Sequence, residues 1–303
     1  MAAAPSAQRI FLTGGRGCLA GVIRQHFTAK GADLTCFSRK AGDGQVALET
    51  LLTGSRLAEA ETLIHLAWST VPFSAEQNPG VEWQQDLPLL TRLLTSIAAL
   101  PERERPHLVF FSSGGTVYGN ARDGRPSREG DPCQPIGRHG AAKLAAEQMI
   151  EEFSHQHGGI STILRVSNPY GFPVPASRPQ GIVPIALKCA REGTPLTVWG
   201  DGTARKDFLH HSDFTAALEK IVQDRPGGVF NVCSGESHSI KEIVAIVERT
   251  IGRKVVKLHA PAPAWDVHDS LLDNSKLQAA ANWRPTIRLA EGIRRAAIEL
   301  LPA

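Results

Sequence analysis

The sequence has little of what marks disulfide-rich, metal-binding or nucleic-acid-binding proteins. Its five cysteines are scattered and form no C-x-x-C pair, which argues against a disulfide framework and against a zinc site. Thirty-three Lys and Arg residues face 30 Asp and Glu residues, and the formal net charge is +3. A balance this small gives no reason to expect a nucleic-acid partner.

Signals for export or membrane insertion are also lacking. No stretch approaches the roughly 18 consecutive apolar residues that a membrane-spanning helix needs. The N-terminal segment Met1-Ala-Ala-Ala-Pro5 has neither the charged start nor the apolar core of a secretory signal. We therefore expect a soluble, cytoplasmic protein without a membrane partner.

Apolar runs rich in Val, Ile, Leu and Phe alternate with longer amphipathic stretches. This alternation is typical of parallel strands that are joined by crossover helices. Strands are predicted at 9–13, 33–37, 62–67, 107–112, 160–165 and 228–232, and helices at 18–30, 81–100 and 140–157. The pattern predicts an α/β fold with a doubly wound parallel sheet.

The pattern becomes less regular after residue 170. Residues 171–179 are rich in proline and predict a loop that could act as a lid over a site. Two more helices are predicted at 239–251 and 289–301. We therefore expect a cofactor-binding domain of residues 1–170 and 207–232, and a smaller substrate-binding domain of residues 171–206 and 233–303.

The first predicted strand leads into a glycine-rich segment, Thr13-Gly-Gly-Arg-Gly-Cys-Leu-Ala20. It follows the pattern T-G-x-x-G-x-x-G except for alanine at the last position, where a methyl group is usually tolerated. Glycine is needed where the backbone turns sharply and approaches a pyrophosphate, while the following helix N-terminus faces the phosphates. The segment predicts a dinucleotide site with contacts from Gly14, Arg16, Gly17, Cys18 and Leu19.

The second predicted strand ends in Ser38-Arg39-Lys40. A protein selective for NAD would carry Asp or Glu there for the ribose 2′-hydroxyl. One hydroxyl and two cations suit the 2′-phosphate of NADP, because arginine pairs bidentately with phosphate and a carboxylate would repel it. Ser38, Arg39 and Lys40 therefore predict NADPH as the preferred cofactor, with NADH as the alternative. The competing interpretation is that both cations are solvated surface charges.

Short motifs are spread over the whole chain: His65-Leu-Ala67, Ser112-Ser-Gly-Gly-Thr-Val-Tyr-Gly119, Leu164-Arg-Val-Ser-Asn-Pro-Tyr-Gly171, Gly200-Asp-Gly202, Asp207-Phe-Leu-His210, Phe230-Asn-Val-Cys-Ser-Gly235 and Asn282-Trp-Arg-Pro285. In content and order they resemble the motifs of the extended short-chain dehydrogenases, specifically the NAD-dependent epimerase/dehydratase family. The resemblance implies a Rossmann domain that binds NAD(P) and a C-terminal domain that often grips a nucleotide sugar. It also implies cofactor contacts from Leu66, Ala67 and Trp68, and a homodimer formed through the helices at 81–100 and 140–157.

Two catalytic hydroxyl groups of the family are missing. The family's catalytic Ser or Thr aligns with Gly114, which we expect to lie on the substrate side. Ser113 is the nearest hydroxyl and the candidate to replace it, although neighbouring strand residues point to opposite faces. The family's catalytic tyrosine in Y-x-x-x-K aligns with His139, while the lysine is retained as Lys143.

No other tyrosine is available to replace the missing one. The chain has two, Tyr118 and Tyr170, and both belong to other family motifs. Three proton sources remain open: His139 acting as a general acid near its ordinary pKa of about 6.5, a water held by Lys143 and the cofactor ribose, or an acidic hydroxyl beside the ketone of the substrate. We expect the catalytic set to be Lys143, His139 and Ser113.

The substrate side keeps part of the family pattern. Asn168 matches a residue that contacts the phosphate of a nucleotide sugar in the family. The family's diphosphate-binding arginine aligns with Lys206, which cannot form the bidentate pair, although Arg205 could compensate. Asp86 stands where the family has asparagine, just before Pro88, which we expect to kink its helix.

Three functions fit these observations. The first is an NADPH-dependent ketoreductase that reduces a bulky secondary metabolite, since the tyrosine-less pattern resembles atypical angucyclinone ketoreductases. The second is a nucleotide-sugar 4-ketoreductase or epimerase with a substituted acid. The third is a non-catalytic NADP-binding protein, which the retained Lys143 argues against. Each implies a small-molecule partner.

Overall fold

The computed structural model describes residues 8–53, 55–121, 124–175 and 180–300. The strands are β1 (Arg9–Thr13), β2 (Asp33–Ser38), β3 (Gln45–Ala47), β4 (Thr62–His65), β5 (His107–Ser113), β6 (Ser161–Val166), β7 (Asn168–Tyr170), β8 (Leu196–Trp199), β9 (Arg205–His210), β10 (Gly228–Val232), β11 (Ser237–Ser239) and β12 (Lys257–Ala260). The helices are α1 (Cys18–Ala29), α2 (Leu48–Thr53), α3 (Pro72–Gln77), α4 (Leu87–Ala98), α5 (Gly114–Val117), α6 (Arg138–His157), α7 (Ile182–Glu192), α8 (His211–Asp224), α9 (Ile240–Ile251), α10 (Ser275–Ala281) and α11 (Leu289–Leu300).

Within the described residues, seven strands form one parallel sheet in the order β10-β6-β5-β4-β1-β2-β3. Both faces of the sheet are covered by helices, so the strands bury nearly all their side chains. The strand order reverses between β1 and β4, and ligands of such sheets bind in the crevice at this switch point. The predicted Rossmann fold is confirmed.

The remaining strands form two small sheets, β11-β9-β7 and β12-β8. Together with α7, α9 and α11 they enclose a separate apolar core. The segment 207–232, predicted to belong to the cofactor-binding domain, is divided between the sheets. β9 lies in the first small sheet, whereas β10 belongs to the large sheet and α8 packs against it. The division into a cofactor domain and a substrate domain stays a prediction.

The helix predicted at 81–100 is interrupted at its start. Residues Glu82–Asp86 form a π-helical turn, and α4 then begins at Leu87 with Pro88 in its first turn. Pro88 has no N–H to donate and its ring restricts the preceding turn, which fits the expected distortion. The wider turn directs Glu82 and Asp86 into the interior, where both side chains are buried.

Part of the predicted lid, residues 176–179, lies outside the described residues. Across the described part of the chain, no helix combines the length and apolarity needed to cross a membrane.

Candidate active site

The glycine-rich segment crosses the ends of β1 and β4. Gly14 has φ +73°, and a Cβ atom on it would lie 2.8 Å from the backbone nitrogen of Ala67. Thr13 fixes this junction, because its hydroxyl lies 2.8 Å from Nδ1 of His65 and accepts from the Ala67 N–H at 3.3 Å. Glycine is therefore required sterically at position 14. α1 begins directly after Gly17 without a side-chain cap, so its first N–H groups have no side-chain partner at this helix end. These residues fit a dinucleotide pyrophosphate.

The loop after β2 lies beside this segment and is rich in cations. Arg39 and Lys40 are exposed, and the buried Ser38 hydroxyl donates to the carbonyl of Lys40 at 2.6 Å. Arg16 reaches the same loop, with its guanidinium 3.3 Å from the Gly42 carbonyl and 3.3 Å from the Asp43 carboxylate. The structure therefore places Arg16, predicted as a contact of the glycine-rich segment, beside the loop that follows β2. Binding of a 2′-phosphate by Ser38, Arg39 and Lys40 stays a prediction.

Lys143 is buried on the inner face of α6, with 6% of its surface exposed. Its Nζ donates to the Phe111 carbonyl at 2.7 Å and lies 3.7 Å from the centre of the Trp68 ring. Burial lowers the pKa of Lys143 to about 7, although the negative charges of Asp86, Glu147 and Glu82 oppose this. Lys143 can therefore gain or lose a proton near neutral pH.

His139 lies one turn before Lys143 on the same face and is 7% exposed. Burial and the positive charge of Lys143 lower its pKa to about 3. The ring is therefore neutral at pH 7, and the expectation that it titrates near 6.5 and delivers a proton as imidazolium does not fit this environment. Its Nδ1 lies 3.4 Å from the Thr70 hydroxyl, and its ring meets the Trp68 ring edge-on.

Gly114 could not carry the family's hydroxyl in this backbone. A Cβ atom there would lie 2.8 Å from the Arg165 carbonyl oxygen and 2.8 Å from the Leu272 side chain. β5 runs through Ser113, and α5 starts at Gly114. Ser113 is partly exposed, and its place in the catalytic set stays a prediction.

α6 is held in place from two directions. At its start, the Glu76 carboxylate accepts from the backbone N–H of Arg138 at 2.8 Å and pairs with the Arg138 guanidinium at 3.1 Å. Further along, the buried Glu147 carboxylate pairs with the buried Arg165 guanidinium at 2.6 Å. These contacts fix the helix that presents His139 and Lys143.

Two buried acidic side chains lie at the site and are not among its predicted residues. Asp86 accepts from the Ser69 N–H at 3.0 Å and from its hydroxyl at 2.8 Å, and burial raises the pKa of Asp86. Glu82 is fully buried and accepts from Thr70. The signal in the sequence was their spacing of four residues, which puts both on one side of a helix.

The predicted substrate residues Asn168 and Lys206 lie on the paired strands β7 and β9. The Asn168 amide donates to the Asp207 carbonyl at 2.8 Å, and Gly115 lies next to it. Lys206 pairs with Asp266 at 2.9 Å, so its charge already has a partner. Their contact with a substrate stays a prediction.

Phe73 on α3, Trp199 on β8 and Trp265 form an aromatic group. The Phe73 ring stacks on the Trp199 ring with centroids 6.0 Å apart, and the Trp265 ring lies edge-on to Trp199 at 5.4 Å. Phe73 and Trp199 are 48% and 37% exposed. Such exposed rings provide a flat apolar surface.

Comparison with known proteins identifies the family. A profile of the NAD dependent epimerase/dehydratase family matches residues 10–233. The chain belongs to this family. It is 28% identical to a dTDP-4-dehydro-6-deoxyglucose reductase of Escherichia coli over 234 residues, which cover 77% of this chain and 72% of the relative. It is also 29% identical to a UDP-glucose 4-epimerase of Azospirillum brasilense over 323 aligned positions, covering 96% and 91% of the two chains.

The fold agrees with that of proteins of known structure. The UDP-glucose 4-epimerase of Thermus thermophilus, solved in complex with NAD, superposes with a TM-score of 0.86 at 24% identity, and the match covers 96% of this chain and 98% of that one. MoeE5 in complex with UDP-glucuronic acid and NAD gives a TM-score of 0.79 at 23% identity, covering 95% and 97%. These similarities extend over both the large sheet and the C-terminal sheets.

Proposed function

We propose that the chain is an NADPH-dependent ketoreductase of the epimerase/dehydratase family, and that its substrate is a nucleotide-linked 4-keto sugar. One observation carries the proposal: the glycine-rich segment and Lys143 are retained, while the family's catalytic tyrosine is replaced by a neutral His139 and its Ser or Thr partner by Gly114. The site is thus equipped to hold a cofactor but lacks the phenol that exchanges a proton with the substrate in the family.

The missing tyrosine favours reduction over epimerisation. An epimerase or dehydratase of this family begins by oxidising a hydroxyl group, and that step needs a general base. Reduction of a ketone produces an alkoxide, which takes a proton from weak donors such as water. A nicotinamide cofactor supplies the hydride when bound. Lys143, held at the Phe111 carbonyl and the Trp68 ring, is the cation that would stabilise the alkoxide.

The assignment to a 4-keto sugar is supported by the relatives. The similar protein of Escherichia coli is named as a reductase of a dTDP-linked 4-keto sugar, which is the same reaction in the same direction. Asn168 and the Gly200-Asp201-Gly202 turn retain the family pattern on the substrate side.

The preference for NADPH rests on Ser38, Arg39 and Lys40 at the end of β2. We expect Arg39→Ala to raise the Michaelis constant for NADPH about tenfold, since one charge-assisted pair with a phosphate is worth about 1.5 kcal/mol. The constant for NADH should hardly change, and Lys220→Ala, an exposed lysine on α8, is the control. Equal effects on both cofactors would contradict the assignment.

A second substrate class is favoured by the aromatic group of Phe73, Trp199 and Trp265. Stacked rings suit a planar aromatic ketone, such as a polyketide of the angucyclinone type, and the pairing of Lys206 with Asp266 leaves less positive charge for a diphosphate. In this case the protein reduces a bulky secondary metabolite.

The experiment measures NADPH consumption with two ketone substrates and, in a separate assay with NAD, interconversion of two nucleotide sugars. Turnover of dTDP-4-dehydro-6-deoxyglucose supports the first class, and turnover of a peri-hydroxylated aromatic ketone alone supports the second. Interconversion of UDP-glucose and UDP-galactose with NAD would contradict one-way reduction. NADPH binding without turnover of any of them would instead support a non-catalytic NADP-binding protein. Light scattering of the purified chain tests the proposed homodimer.

A further inference from the structure

A short series of hydrogen bonds lies beside the His139 ring and connects it through Thr70 to Glu82. The Thr70 hydroxyl donates to a carboxylate oxygen of Glu82 at 2.5 Å and lies 3.4 Å from Nδ1 of His139. Thr70, Glu82 and His139 are 6%, 0% and 7% exposed. The Glu82 carboxylate therefore influences His139 through one intervening hydroxyl group, shielded from solvent.

The number of protons available determines which atom donates in each of these hydrogen bonds. A threonine hydroxyl has one hydrogen, and here it is given to the Glu82 carboxylate, so towards His139 the oxygen can only accept. Nδ1 must then carry the proton of the neutral ring, and Nε2 is left with a lone pair. Within the described residues, the hydrogen-bond contact of the ring is made by Nδ1, so Nε2 is the nitrogen that remains for a ligand.

We propose that Glu82, acting through Thr70, is a positioning residue that holds His139 in the Nδ1–H tautomer, so that Nε2 accepts a hydrogen bond from a hydroxyl group of the substrate. The inference rests on the proposed function, because it takes the ketone substrate to lie beside His139. The chemistry it selects is a ketone with a neighbouring hydroxyl group. Both a 4-keto sugar and a peri-hydroxylated aromatic ketone have this chemistry.

Burial keeps the ring neutral and therefore able to accept. Lys143 lies one helical turn away on α6, and its positive charge also opposes a second proton on the ring. Asp86, on the same π-helical turn as Glu82, is occupied by Ser69. His65, at the end of β4, is itself kept neutral, because burial and the charge of Lys143 lower its pKa to about 3.

The tautomer is measured directly by nitrogen NMR of protein labelled with ¹⁵N-histidine, without cofactor or substrate. The His139 signals are assigned by their loss in His139→Phe. We expect the Nδ1–H tautomer in the unmodified chain. We expect the Nε2–H tautomer to prevail in Thr70→Val and Glu82→Leu, which remove the acceptor or its anchor, while Thr70→Ser restores the original form.

The matched control is Thr95→Val, which alters an exposed threonine on α4. A His139 that carries its proton on Nε2 in the unmodified chain would overturn the inference, and so would an unchanged tautomer in Thr70→Val. Because the Thr70→Ser and Glu82→Leu proteins report on the same atoms, the inference remains testable where one variant does not fold.

The second readout compares kcat/KM for pairs of ketone substrates that differ only in the neighbouring hydroxyl group. For a hydroxyketone, Thr70→Val should lower kcat/KM about fivefold, mainly through KM, as expected for one weakened hydrogen bond. For the matched ketone without the neighbouring hydroxyl, the variant should have no effect; equal losses on both ketones would overturn the inference. The sugar pair and the aromatic pair distinguish the two sources of the hydroxyl. Failure of every ketone to react would refute the proposed function but leave the tautomer result standing.

Discussion

Replacing Lys143 by methionine should stabilise the protein at neutral pH. The unfolded chain keeps the lysine proton up to about pH 10.5, whereas the folded chain releases it near pH 7, because burial lowers the pKa of Lys143. Between these two pH values the unfolded state binds more protons, so the free energy of unfolding rises with pH. The charged lysine therefore destabilises the fold below pH 7, and the cost disappears above the unfolded pKa.

The magnitude follows from the size of the shift. The lowered pKa of Lys143 reduces the free energy of unfolding by about 4 kcal/mol at pH 7, since each pKa unit corresponds to about 1.36 kcal/mol. Methionine has a similar volume but loses the hydrogen bond to Phe111, worth about 1 kcal/mol. We expect Lys143→Met to raise the free energy of unfolding by about 3 kcal/mol at pH 7 and by close to zero at pH 10.

Urea unfolding at pH 7, 8, 9 and 10 measures this difference. The control is Lys220→Met on the exposed side of α8, for which the change should be small and independent of pH. Two results would refute the reasoning. One is a lower free energy of unfolding for Lys143→Met than for the unmodified chain at pH 7. The other is a difference between the two proteins that does not shrink as pH rises. They would mean that Lys143 is charged without cost and is not the perturbed group of this site.

Three further substitutions probe other parts of the site. Gly14→Ala should abolish measurable NADPH binding by fluorescence, because its Cβ would lie 2.8 Å from the Ala67 nitrogen at φ +73°; the control Gly21→Ala has open space in α1 and should bind normally. Glu147→Gln should lower the free energy of unfolding by about 3 kcal/mol, since it leaves the buried Arg165 without a counter-charge; a loss below about 1 kcal/mol in urea would contradict this. His139→Phe should leave the shape of the kcat profile unchanged between pH 5 and 8, because the pKa of the ring is about 3; loss of a titration near pH 6.5 in that variant would restore the imidazolium as the acid.

Most of the large sheet could be predicted from the sequence. The strand predicted at 9–13 is β1, and the strand predicted at 228–232 is β10, with the same bounds. Their apolar runs are buried on both faces, which makes them continuous and easy to detect. The glycine-rich segment was equally clear, because its residues serve a local backbone requirement.

The polar interior of the site could not be predicted in the same way. Thr70 meets Glu82 because a π-helical turn reshapes the start of the helix and because α6 brings His139 against both. Such contacts depend on tertiary packing that no local pattern encodes. The pKa of His139 was misjudged for the same reason, since burial and the charge of Lys143 follow from the packed structure.

Transfer of deuterium from NADPH labelled at the nicotinamide C4 tests the central claim most directly. The claim is that this scaffold delivers a hydride to a ketone without a tyrosine as proton donor. With dTDP-4-dehydro-6-deoxyglucose or the aromatic hydroxyketone as substrate, we predict one deuterium atom on the new carbinol carbon by mass spectrometry. An alcohol without deuterium from either face of the labelled cofactor, or no alcohol at all from a protein that binds NADPH, would contradict the account.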